Sequence, residues 1–384
     1  MDEIIKKLRY AMENQALVNV IQVDSSIFYT GAVISIDRVG TILSTYTDDG
    51  LTNGYVYLKY LDIFDVDFYS DDLSKMETQM KLVKSLDLLS TEQPEIKLNK
   101  KVDLLTQVLG SAFVYQQPLL IIQTDNSMIE GFVSAIGKHQ VEMMVFDKFN
   151  SGNVKRQTIG KSQIQLVEFK GRELNLLANS KKLLLTNHVQ TETIQGSLAI
   201  FATLHRSFEL GRRVIMIPKI NPELFFIGQV KAVNADAVIF AVVDMNGQFG
   251  GYELIRLEEI DRIETKSDYL RLINHFVSLN MAQVTYLQPV LNDDRSFDAT
   301  VDLFVAITEQ AINFKQFLRI KTNDGESYFG VPFKLEKGKL SVRYLDKDKP
   351  TEPQLKELNL ANIDELAFGY LDTFLEKKRI MDLK

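Results

Sequence analysis

The chain contains no cysteine and only four histidines in 384 residues. Without cysteine there is no disulfide, no zinc–thiolate centre and no cysteine nucleophile. That absence suits a reducing compartment. The histidines, His139, His188, His205 and His275, fall in no metal-ligand or triad spacing, so neither a metal nor a cofactor is expected. Long apolar runs are also missing. Stretches such as Val238 to Val243 are far too short to span a bilayer. The opening residues, MDEIIKKLRYAMENQ, are charged and amphipathic, without the apolar centre of a secretory signal. The expectation is a soluble cytoplasmic protein with no membrane partner. At 45% hydrophobic and 25% charged residues, the composition is that of a folded chain.

What is present is repetition. Four segments share one pattern: VNVIQVDSSIFYTGAVISI, LLIIQTDNSMIEGFVSAI, VIMIPKINPELFFIGQVKAV and LRIKTNDGESYFGVPFKL. Each is an alternating apolar run, a polar turn and a second alternating run carrying a glycine. Period-two alternation marks a half-buried strand. The turns are Asp24-Ser25-Ser26, Asp125-Asn126-Ser127, Asn221-Pro222-Glu223 and Asn323-Asp324-Gly325. The glycines are Gly31, Gly131, Gly228 and Gly330. A glycine inside a strand marks a bend or a close backbone approach. A second landmark, an isoleucine (Ile63, Ile164, Ile260, Ile363), follows each glycine by 32 or 33 residues. Further strand-like runs lie between the landmarks, so each repeat carries about five strands. Helical periodicity precedes every repeat, as in Ile4, Ile5, Leu8 and Met12. Helices are also expected after the fifth strands, near 71–87, 172–183, 267–280 and 371–383.

A helix followed by five bent strands, with a turn and a glycine in the first hairpin, resembles the Sm-like family, which includes the LSm proteins and the RNA chaperone Hfq. LRIKTNDGESYFG carries the likeness of the first motif, and LIRLEEIDRIE that of the second. The resemblance implies an α+β, mostly β fold: four tandem Sm-like five-stranded barrels with connecting helices, in units 1–95, 96–190, 191–285 and 286–384. The barrels are expected near 15–69, 113–169, 210–265 and 315–368. The connecting helices and linkers, longer than direct edge pairing requires, are expected to cover sheet edges and to leave fewer than four strand pairings between barrels.

The resemblance also implies RNA contacts, which can be followed position by position. Six residues beyond the glycine, at the family's Asp position, stand Asp37, Gly137, Asn234 and Glu336. The stacking position holds Val39, His139, Asp236 and Gly338, and the Asn position holds Thr41, Val141, Val238 and Leu340. The family's Arg position, four before the isoleucine, holds Lys59, Gly160, Arg256 and Asn359. Valine and leucine cannot hydrogen-bond a base edge, so uridine readout is expected to be largely lost. His139 and Arg256 are the remaining candidates.

Charge separates the repeats. Divided at 95, 190 and 285, they carry net −8, +5, −2 and −2. Only the second is basic, and its Lys148, Lys155, Arg156 and Lys161 form the candidate anion-facing patch. The competing readings are a solvated loop or a surface that docks on the acidic first repeat. No catalytic constellation stands out. GQFGGY at 247–252 lacks a phosphate-loop lysine. The acidic run Asp62, Asp65, Asp67, Asp71 and Asp72 reads as an exposed strand face and a helix start rather than a cation site. The expected function is therefore a non-enzymatic binding or scaffold protein, with a protein partner or self-association. The alternatives are an RNA-binding protein with relaxed recognition and, behind it, an enzyme with a pocket between barrels. No DNA partner is expected.

Overall fold

The computed structural model describes residues 1–23, 28–220, 223–345 and 353–382. The turns proposed at Asp24-Ser25-Ser26 and at Asn221-Pro222 lie outside the described residues. The chain divides into two compact units, Met1–His188 and Val189–Lys384.

The first unit opens with α1 (Asp2–Asn14), followed by β1 (Leu17–Gln22), β2 (Phe28–Ile36), β3 (Gly40–Tyr46), β4 (Thr52–Lys59), β5 (Ile63–Asp67) and α2 (Asp71–Ser85). The same series returns as α3 (Leu104–Tyr115), β6 (Pro118–Gln123), β7 (Met128–Ile136), β8 (Gln140–Val145), β9 (Lys155–Gly160) and β10 (Ile164–Phe169), closing with α4 (Arg172–Asn179) and α5 (Lys181–Leu184). The ten strands form one antiparallel sheet in the order β5-β1-β2-β3-β4-β10-β6-β7-β8-β9.

The second unit begins with a short strand that the sequence did not announce, β11 (Glu192–Gln195). Then come α6 (Ser197–Leu210), β12 (Arg213–Pro218), β13 (Phe226–Val233), β14 (Ala237–Val243), β15 (Phe249–Arg256), β16 (Ile260–Lys266) and α7 (Asp268–Ala282). The last series is α8 (Leu303–Phe314), β17 (Leu318–Thr322), β18 (Ser327–Glu336), β19 (Lys339–Leu345), β20 (Gln354–Asn359), β21 (Ile363–Phe368) and α9 (Leu371–Asp382). Its eleven strands run β11-β16-β12-β13-β14-β15-β21-β17-β18-β19-β20.

The four-barrel expectation is overturned. The five-strand series exist, but they do not close; they merge into two continuous sheets of ten and eleven strands. The merging contacts are β4 with β10 and β15 with β21, a fourth strand against the next fifth strand. The connectors therefore do not cover these edges. The physical reason is burial on both faces. Seven of the eight residues of β4 are buried, as are six of the eight in β15, and a strand buried on both faces cannot end a sheet in solvent. The cores are accordingly shared: Tyr55 and Tyr57 pack with the α3 and β6–β10 residues, and Ala237, Ile239 and Leu254 with those of α8 and β17–β21.

Both sequence landmarks have a structural meaning. A Cβ on Gly31, Gly131, Gly228 or Gly330 would collide with the backbone oxygen of Ser44, Met144, Ala241 or Arg343 on the facing strand. Three residues on, the ladder skips a residue, between Val33/Ser35, Val133/Ala135, Val230/Ala232 and Pro332/Lys334. The glycine is thus the close approach, and the bulge beyond it makes the bend. Each landmark isoleucine opens a fifth strand and is buried. Helix starts are capped where the sequence supplies an acceptor: Ser70, Asp103, Ser267 and Asp302 accept from Leu73, Thr106, Leu270 and Val305 amides.

Candidate functional site

The basic residues singled out in the second repeat do not form one patch. Lys155 and Arg156 are exposed neighbours on β9, the last strand of its sheet. His139 lies in the turn before β8, where its carbonyl accepts from the Lys161 amide at 2.8 Å. The β8–β9 register, Gln140 opposite Gly160 and Val145 opposite Lys155, separates these two pairs by about 17 Å of strand. Lys148 is not available to an outside anion. Its ammonium lies 3.0 Å from Glu130 and 2.7 Å from Glu173. Burial opposes its charge, but the two carboxylates hold it above the ordinary lysine range.

Arg256 is a joint residue. At the β15–β21 joint its Nε donates to the Ile363 carbonyl at 2.7 Å and an Nη to that of Leu360 at 3.0 Å. The guanidinium lies 4.3 Å from the centre of the Phe304 ring. Lys59, the matching residue of the first repeat, does the same at the β4–β10 joint. Its ammonium reaches the carbonyls of Lys161 at 2.8 Å and Ser162 at 3.0 Å. Burial lowers its pKa, against the pull of Asp62. The position that the family likeness assigns to nucleic acid is occupied here by a cation tying two repeats together. The neighbouring Asp position acts alike: Asp37 accepts from the Val39, Gly40 and Leu104 amides. Asn234 accepts from Asp236 and Ala237 amides and donates to the Val301 carbonyl.

The two joints share further parts. Tyr55 stacks on Phe169 with ring centres 5.5 Å apart, and Tyr252 on Phe368 at 5.3 Å. The tyrosine hydroxyls donate to the carbonyls of Pro94 at 2.6 Å and Asn292 at 3.0 Å. Burial pushes the Tyr252 pKa up to about 12.

Each joint also holds one carboxylate in the same cross-strand pair, from opposite strands, half-buried in the first and buried in the second. In the first, Glu168 faces Val56 and accepts from the Tyr29 hydroxyl at 2.5 Å. In the second, Glu253 faces Ala367 and accepts from the Tyr370 hydroxyl. The other carboxyl oxygen of Glu253 has no hydrogen-bond partner among the described residues. Burial raises the pKa of Glu168. Burial, and then Glu365 nearby, raise that of Glu253 well above the carboxylate range. Tyr370 is raised by burial and by Glu253. The ring of Tyr370 lies under Arg319, which pairs with Asp372.

Of these residues Glu253 is buried, and Glu168, Tyr29 and Tyr370 are half-buried against the sheets, so the pairs can stiffen the joints. A groove of about 380 Å³ beside α8, lined by Phe297, Val301, Ile307, Gln310 and Phe314, lies in the second unit. Among the described residues no three His, Asp or Glu side chains gather as a metal would need. Asp65 is paired with Lys7 at 2.6 Å, and its second role is to accept from the Val66 amide. No helix among the described residues is long and apolar enough to cross a membrane.

What remains open is sheet edge. In the first unit β5 and β9 end the sheet; in the second, β20 ends it, while β11 covers β16. The β5 edge is flanked by exposed Leu61, Phe64 and Tyr69. Phe64 is 70% exposed, whereas the residues in its place at the joints, Gln165 and Asp364, are 6% and 8% exposed. Neither a protein-family model nor a curated protein matches this chain.

Proposed function

We propose that the chain is a non-enzymatic binding scaffold that recruits extended segments of protein partners along its open sheet edges. The observation that carries this reading is the β5 edge, where Phe64 stands in solvent at a position that the joints bury. Strand addition draws its affinity from main-chain hydrogen bonds and its specificity from alternate side chains. The edge carries Asp67 beside Asp65, which is already paired with Lys7, so a basic extended segment suits it at Asp67. The likeness to the Sm-like family belongs to this reading through the strand motifs alone. The test is hydrogen exchange of β5 with a panel of basic ten-residue peptides. A binding peptide should slow β5 exchange, and Phe64→Asp should abolish the protection. If no peptide alters β5 exchange, the reading fails.

A second reading, RNA binding with weak base preference, is favoured by the exposed pair Lys155 and Arg156 on β9. Phosphate contacts of this kind give salt-dependent, sequence-tolerant affinity. Changing both to Gln should weaken binding of a single-stranded RNA and flatten its salt dependence. His139→Ala should cost about 1–3 kcal/mol if a base stacks there. An unaltered chain that ignores RNA at low salt ends this reading.

A further inference from the structure

We propose that β11 is a removable strand plug: it covers the edge of β16, and when it lifts, that edge takes β20 of a second copy of this chain. The proposal rests on the edge-pairing reading above and names its partner.

The register shows what β11 imitates. It places Gln195, Ile194 and Thr193 opposite Arg262, Ile263 and Glu264. Counted from the landmark isoleucine, these are the places where Leu58, Tyr57 and Val56 meet Leu166, Val167 and Glu168 at the first joint. They are also where Ile255, Leu254 and Glu253 meet Glu365, Leu366 and Ala367 at the second. So β11 stands in for a fourth strand, on the one fifth strand that would otherwise lie open in the second unit.

It does so without the parts that seal the joints. The aromatic of β10 and β21, Phe169 and Phe368, is replaced on β16 by Thr265, whose hydroxyl is buried with no hydrogen-bond partner among the described residues. With the sequence Glu-Thr-Ile-Gln, β11 offers no cation to cross to the neighbouring carbonyls. Of its four side chains only Ile194 is half-buried. A strand of four residues with solvent around its side chains opens locally far more readily than a sheet interior. Gly196, between β11 and α6, has φ +89° and open space where a Cβ would stand, so the chain can swing there without moving the helix.

Charge selects the occupant. In the joint register, β20 would set Lys356 opposite Glu264, Glu357 opposite Ile263 and Leu355 opposite Thr265. Leu355 is 68% exposed on its own open edge, and this contact would cover it. The other open fourth strand, β9, would set Lys155 opposite Lys266, and like charges directly opposite disfavour pairing.

Sedimentation of the full chain tests the proposal. Ile194→Pro takes from β11 one amide donor and its one half-buried side chain. It should convert the 43.8-kDa chain into species of at least twice that mass, since joining two different edges head to tail gives rings or open chains. Adding Lys356→Glu should restore the single chain, and adding Lys155→Glu should not. A single-chain mass for Ile194→Pro, or a larger species that survives Lys356→Glu, overturns the proposal. Should Ile194→Pro fail to fold, hydrogen exchange of the unaltered chain decides. The amides joining β11 to β16 should exchange ~tenfold or more faster than those joining β12 to β13, and equal protection contradicts a removable plug. Neither readout depends on β5, so failure here leaves the peptide test of the scaffold reading standing.

Discussion

The β4–β10 and β15–β21 joints are two solutions to one problem: how to weld a fourth strand to a fifth. They agree on the tyrosine–phenylalanine stack and on a cation that crosses to main-chain carbonyls. They differ in which cation crosses and which strand brings the acid. Lys59 makes two bonds from one nitrogen; Arg256 spreads its two over a planar fork and adds a ring contact with Phe304. Glu168 comes from the fifth strand, Glu253 from the fourth. Common parts are therefore what a joint requires, and the differing parts set how strong and how pH-sensitive each joint is.

The largest effect should come from the shared stack. Tyr55→Ala and Tyr252→Ala should each destabilise their unit by about 3–5 kcal/mol in urea unfolding, as aromatic truncation in a core does. A loss under ~1 kcal/mol at either site would remove the stack from the list of required parts.

The cations come next. Arg256→Ala should cost about 3 kcal/mol and Lys59→Ala about half that, because bonds from charged groups are worth roughly 1.5–3 kcal/mol and Arg256 has the ring contact as well. Arg256→Lys should fall between. Equal losses at the two sites would erase the distinction drawn between the joints.

The acids should separate the joints by pH. Glu253 has a folded pKa raised by burial and by Glu365, so the folded state holds its proton to higher pH than the unfolded chain. Its contribution is fully present below the unfolded carboxyl value of about 4.3 and is lost as pH rises towards the folded value. Glu253→Gln should remove that loss, flattening the stability of the second unit above pH 5. Glu168 is shifted in the same direction, so Glu168→Gln should flatten the first unit likewise. A pH profile unchanged by either substitution would place the sensitivity elsewhere. Last and smallest, Lys155→Gln with Arg156→Gln should move stability by no more than ~0.5 kcal/mol, since both are exposed.

The strands, their landmarks and the flanking helices were legible because each has a period that burial enforces. The fusion of the repeats was legible too, in a signal that the barrel expectation passed over. YVYL of β4 and, around Glu253, YELI of β15 are mostly apolar runs, whereas KRQTIG of β9 and QLKELN of β20 are polar. The first kind is buried on both faces and joins; the second ends its sheet. Lys59 and Arg256 were found at the right spacing, but Arg256 was assigned to an outside ligand and Lys59 to no role, because spacing does not say which carbonyl a cation will meet. Lys148 misled for the same reason: its partners Glu130 and Glu173 are distant in sequence. β11 had no signal, since four mostly exposed residues need no apolar alternation. The half-buried Glu168 and the buried Glu253 look like surface acids until the joint is formed.

The central claim is that a fourth strand pairs with the fifth strand of the next repeat, and a chain without cysteine allows it to be tested by cross-linking. Val56→Cys with Glu168→Cys, and Glu253→Cys with Ala367→Cys, place thiols in directly opposed pairs, within the reach of a disulfide. Both double variants should oxidise within one chain, while Val56→Cys with Asp67→Cys, its own repeat's fifth strand, should not. Cross-linking of the Val56–Asp67 pair in place of Val56–Glu168 would mean that each repeat closes on itself, and would contradict the account.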